Sequence, residues 1–154
     1  MTTAQQASAY RPVILLVEDN PADLRLAQEV LKETHMAHEL LVARDGEEAM
    51  RVLRREGAHA NAARPDLVLL DLNLPRKHGR EVLAEIKSDP SLKTIPVLIL
   101  STSSAELDVR GCYELHANCF LTKPVSIDEF GRLAGLIRDF WLGVVQLPPR
   151  VHVP

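Results

Sequence analysis

The chain has 154 residues, 46% of them hydrophobic and 25% charged, with a formal net charge of -3. That length carries one domain with a full core and is short for two. The slight negative charge and the 4% aromatic content argue against an electrostatic grip on nucleic acid or an anionic membrane, and against stacking platforms for bases.

The opening MTTAQQASAYRP has no basic stretch followed by an apolar one, so no signal peptide is expected. No apolar run reaches transmembrane length, and a cytoplasmic protein is the expectation. The run VILLV (13–17) is continuously apolar, as in a strand covered on both faces. Asn20-Pro21 then signals a helix start, with Leu24, Ala27, Val30 and Leu31 at helical spacing. ELLVA (39–43) reads as a second strand, and residues 45–56 as a helix opened by Asp45. Residues 57–65 are small and polar, a surface loop.

DLVLLDL (66–72) is a third strand of the buried kind, and Pro75 and Gly79 break the chain before a helix near 80–88. IPVLILST (95–102) is a fourth strand, followed by a helix near 105–115. NCFLT (118–122) is a short fifth strand, and residues 126–145 form a long last helix with a capping-box start at Ser126 and Glu129. Its expected core stripe is Ile127, Phe130, Leu133, Ala134 and Ile137. Five strands alternating with five helices give an open parallel α/β sheet, with a flavodoxin-like order 2-1-3-4-5 preferred over a Rossmann variant. The expected divisions are a flexible segment over 1–11, one domain over 12–145 and an extended tail over 146–154. Cys112 and Cys119 lack CxxC spacing and are expected as buried free thiols, although a disulfide between them stays open.

In such sheets ligands bind beyond the carboxyl ends of the strands. The apolar runs end in Glu18-Asp19, Asp71, Ser101-Thr102 and Thr122-Lys123. The preferred order sets strands 1, 3, 4 and 5 side by side, so these groups converge on one edge. Three carboxylates repel one another, and a hard divalent cation such as Mg²⁺ relieves this. Lys123 adds a single mobile positive charge and Ser101 a hydroxyl, which together make a phosphoryl-handling inventory.

At this point the chain resembles a known family. LLVEDNPAD, LLDLNLP, LILSTS and FLTKP, in that order over about residues 12–142, resemble the motifs of bacterial two-component receiver domains. DLNLPRKHGREVLAEIKSDPSLKTIP, CFLTKPVSIDEF and the later FWL resemble more narrowly the stand-alone regulators that partner bacterial phytochromes. The resemblance implies a switch phosphorylated by a sensor histidine kinase, with Asp71 as phosphoacceptor. It implies Mg²⁺ held by Glu18, Asp19, Asp71 and the Asn73 backbone carbonyl, with Asp19 the direct ligand and Glu18 acting through water. Lys123 and Ser101, with Thr102, would meet the phosphate, and Phe120 stands where the family has a rotating aromatic. Ser101 replaces the more usual threonine, and His78 stands where an acid is common.

Plainer readings stand beside these. Asp19 and Asn20 could be only a helix cap, Asp71 a turn former, Ser101 and Thr102 ordinary strand-end hydroxyls, and Phe120 core packing. An aspartyl phosphatase would want a second acid where Asn73 stands; a scaffold lacking phosphorylation would be expected to lack an acid or the lysine. A mononucleotide site would want a Gly-rich or hydroxyl-rich loop after the first strand. Beyond its core stripe the last helix carries Phe140, Trp141, Leu142 and Val145, expected either as a homodimer interface or folded back over the domain's own sheet.

Overall fold

The computed structural model describes residues 11–149. The expectation for 1–11 therefore lies, except for Arg11, outside the described residues, as do tail residues 150–154. Five parallel strands form one sheet in the order β2-β1-β3-β4-β5. They are β1 (Val13–Val17), β2 (Glu39–Ala43), β3 (Leu67–Leu70), β4 (Val97–Ser101) and β5 (Cys119–Thr122). The helices between them are α1 (Pro21–Glu33), α2 (Gly46–Arg54), α3 (Gly79–Ser88), α4 (Glu106–Glu114) and α5 (Ile127–Leu136). The flavodoxin-like topology read from the alternating pattern is the one observed.

Alternate strand residues feed two cores, as a doubly wound sheet requires. Leu15, Val17, Val68, Leu70, Val97 and Ile99 face α2, α3 and α4, packing with Met50, Leu53, Leu83 and Ile86. Ile14, Leu16, Leu67, Leu69 and Leu98 face α1 and α5, packing with Val30, Leu31, Leu133 and Ile137. Side-chain caps start four of the helices. Asn20 Oδ1 accepts from the Ala22 and Asp23 N–H groups, Asp45 Oδ1 from Glu48, His78 Nδ1 from Arg80 and Ser126 Oγ from Glu129. The expected capping box at α5 closes one residue early, because Glu129 Oε2 accepts from the Val125 N–H.

The last helix departs from expectation in two ways. Ile127, expected in the core stripe, is 89% exposed. Ile127 instead points to solvent at the start of α5 and lines a surface groove with Leu26, Pro124, Val125 and Phe130. The helix also does not run on as α-helix to 145. From Ile137 to Val144 it widens to π-helical winding, closed by Val145 N–H donating to Phe140 O at 2.8 Å. Ile137 and Trp141 are buried there, so the core stripe is continued by Trp141, while Phe140 is exposed and Leu142 and Val145 are half-buried against the same core. The loop 57–65 contains a short 3₁₀ turn, Gly57–His59. Both cysteines are free thiols; burial pushes Cys119 up to about 11, so neither is poised to react.

Candidate functional site

Strand register brings the polar strand ends together. Val17 pairs with Leu70 across β1 and β3, so the next residues, Glu18 and Asp71, lie side by side. Ser101 pairs with Thr122 across β4 and β5, and Lys123 follows, its N–H donating to Ser101 O at 2.8 Å. Glu18, Asp71 and Lys123 are each at most 6% exposed, a heavy concentration of charge for a buried place. A cavity of about 260 Å³ opens above them, lined also by Asp19, Asn20, Asp23, Asn73 and Thr102.

Lys123 is the electrostatic centre. Its Nζ donates to Glu18 Oε2 at 2.7 Å and Asp23 Oδ2 at 2.9 Å, and lies 3.4 Å from Asp71 Oδ1. Burial opposes its charge, but these carboxylates outweigh burial and hold the ammonium above its ordinary range. Glu18 and Asp71 move the same way for the opposite reason. Burial, above all, raises both carboxyls, and the pull of Lys123 on each is not enough to bring them back. One ammonium cannot balance this group of acids.

Carboxylate oxygens of Glu18, Asp19 and Asp71 lie within 4.8 Å of one another. This all-oxygen donor set, short of positive charge and open to the cavity above it, fits a hard divalent cation. Glu18 is the least free of the three, since Oε1 already accepts from the Asn20 N–H and Oε2 from Lys123. Asp19 is exposed and free of capping, because Asn20 alone caps α1. The cap reading therefore holds for Asn20 and not for Asp19.

The other expected residues divide. Thr102 lines the cavity, whereas Ser101 is fully buried and its hydroxyl accepts from the Ser103 N–H at 3.1 Å. Ser103 Oγ in turn donates to Asp108 Oδ2 at 2.6 Å, and Asp108 is ion-paired to Arg80. Phe120 is half-buried against the core on the α4 side, and its N–H donates to the Tyr113 hydroxyl at 3.1 Å. His78 accepts at Nδ1, which fixes its proton on Nε2 in the neutral ring. Asp23 was not singled out in the sequence. It sits in the first turn of a helix, where acids are common for dipole reasons, and only the folded position of Lys123 distinguishes it.

A model of the response regulator receiver domain matches residues 14–133. The chain belongs to that family. This receiver is 55% identical over 136 residues to response regulator Rcp1 of Synechocystis sp., covering 88% of this chain and 92% of that one. The crystal structure of the Mn²⁺-bound form of Rcp1 is similar with a TM-score of 0.83 at 54% identity, covering 90% of this chain and 99% of that one. The crystal structure of the phosphorylated cyanobacterial phytochrome response regulator RcpA has a TM-score of 0.85, also at 54% identity, covering 91% and 100%. The receiver is thus a component of phosphorelay signalling.

Proposed function

We propose that Asp71 is the phosphoacceptor of this receiver, taking a phosphoryl group from a phosphohistidine of a sensor histidine kinase. The observation that carries this reading is the side-by-side burial of Asp71 and Glu18 with Lys123 3.4 Å from Asp71, below an open cavity. An Asp71 carboxylate oxygen attacks phosphorus in line with the leaving nitrogen. The P–N bond breaks, its electron pair stays on the kinase imidazole, and an aspartyl phosphate results. Mg²⁺, held by Asp19, Asp71 and the Asn73 carbonyl with Glu18 acting through water, would supply neutralisation of the phosphoryl oxygens. Lys123 contributes the remaining charge and Thr102 or Ser101 a hydroxyl donor. This chemistry asks for positioning and charge, and the receiver promotes its own phosphorylation and dephosphorylation in that sense only.

The switch follows from the same parts. Donation by Ser101 to a phosphoryl oxygen would draw on the hydroxyl that now accepts from Ser103, and Phe120 is placed to swing further into the core. The result is a population shift of the face made by α4, β5 and α5. Because RcpA is a cyanobacterial phytochrome response regulator, a phytochrome-type kinase acting in the cytoplasm is the proposed donor. A homodimer is proposed through the exposed Phe140 and Leu136, beside the groove that they line with Leu121, Arg132 and Asp139. Leu142 and Val145 contribute at its margin, whereas Trp141 supports the face from inside.

The test is labelling by acetyl phosphate or by the phosphorylated kinase. Wild type is expected to label only with a divalent cation and Asp71→Asn not at all; equal labelling of the two would overturn the assignment.

A further inference from the structure

We infer that Asp23 is a positioning residue that holds Lys123 away from the phosphoryl site until transfer occurs. The inference rests on the reading of Asp71 as phosphoacceptor and Lys123 as the phosphate's partner. An ammonium has three protons to give. In this structure Glu18 and Asp23 take the two short contacts, at 2.7 and 2.9 Å, and Asp71 is left with the long one, at 3.4 Å.

Asp23 is well fixed for this task. Its N–H donates to Asn20 Oδ1 at 3.1 Å in the first turn of α1, and its carboxylate reaches across to a lysine 100 residues away. To donate fully to an oxygen on Asp71, Nζ must move toward Asp71 and lengthen another contact. Glu18 is 3% exposed, so leaving it unpaired is costly, whereas the Asp23 side chain is 33% exposed and water can take over. Asp23 is therefore the contact given up. An interaction present only before phosphorylation opposes phosphorylation by its full worth. Because water reaches the Asp23 end of the pair, that worth corresponds to about two- to fivefold in binding.

The experiment is a beryllofluoride titration, followed by fluorine NMR, at saturating Mg²⁺ so that any change in metal affinity does not enter. Asp23→Asn is expected to bind beryllofluoride about two- to fivefold more tightly than wild type, on the magnitude of an ion pair whose acid is open to water. Asp23→Ala, a second neutral variant, should move the same way, and Asp23→Glu should return toward wild type. Glu29→Gln, an exposed acid on the same helix paired to Lys32, is the control for general charge removal. Unchanged or weaker binding in both neutral Asp23 variants, or equal tightening in Glu29→Gln, would overturn the role of Asp23. A wild type that binds no beryllofluoride would instead overturn the reading of Asp71.

Discussion

At the scale of single residues, the site is governed by three buried charges that do not balance. Burial raises the Glu18 and Asp71 carboxyls, while their contacts keep Lys123 charged. The native state therefore binds more protons at the two acids than the unfolded chain does. Its stability falls as pH rises from the ordinary carboxylate range through the raised values. The raised lysine adds stability that is lost as pH rises from its ordinary value through its raised one, well above this window. A bound cation offsets the carboxylate repulsion, so urea unfolding with chelator and with saturating Mg²⁺ should diverge as pH increases, the metal-bound protein being the more stable. Curves that stay parallel from acid to neutral pH would contradict this electrostatic picture. The residues that carry it were legible because each ends an apolar run, and a parallel sheet sends all such ends to one edge. Asp23 was not legible, since its partner is 100 positions away and nothing in a helix's first turn marks which acid faces a lysine. Nor could the pattern tell that the Ser101 hydroxyl is engaged by Ser103.

At the scale of elements, β3 and α3 set where Asp71 stands. A Cβ on Gly79 would overlap the Asp71 carbonyl oxygen and press on the Leu72 Cα, and the Gly79 N–H donates to Leu72 O at 2.9 Å. Only a hydrogen fits between the start of α3 and the end of β3. Gly79→Ala should cost about 1–3 kcal/mol, the usual range for overpacking, in chemical denaturation, and should slow labelling by acetyl phosphate because the strand end itself shifts. Full stability and normal labelling would show that α3 does not position the acid. The apolar spacing of the last helix marks it as amphipathic but does not set its details. Periodicity places Leu133, Ala134 and Ile137 in the core, but does not show that Ile127 is left outside it or where π-helical winding begins. Trp141 is 9% exposed and belongs to the α1–α5 core. Trp141→Ala should destabilise the monomer by roughly 3 kcal/mol, and a variant as stable as wild type would place the indole elsewhere.

At the scale of the molecule, the carboxyl edge of the sheet holds the buried charges and the β5–α5 side holds exposed apolar surface. Phe140 is 48% exposed, and its ring packs edge-on against Trp141 at 5.4 Å between centroids. That division separates two effects that the sequence left merged. Phe140→Ser should lower the solution mass of the phosphorylated protein toward the monomer with little change in thermal midpoint, measured by light scattering and thermal unfolding. An unchanged mass would remove the dimer from the account. Whether Asp71 carries the phosphate is decided by treating the protein with acetyl phosphate and Mg²⁺, trapping acyl phosphates with borohydride and mapping the modified residue by peptide mass spectrometry. Modification is expected at Asp71 alone and absent with chelator; modification at another residue, or at Asp71 without a divalent cation, would rule out Asp71 as a metal-dependent phosphoacceptor.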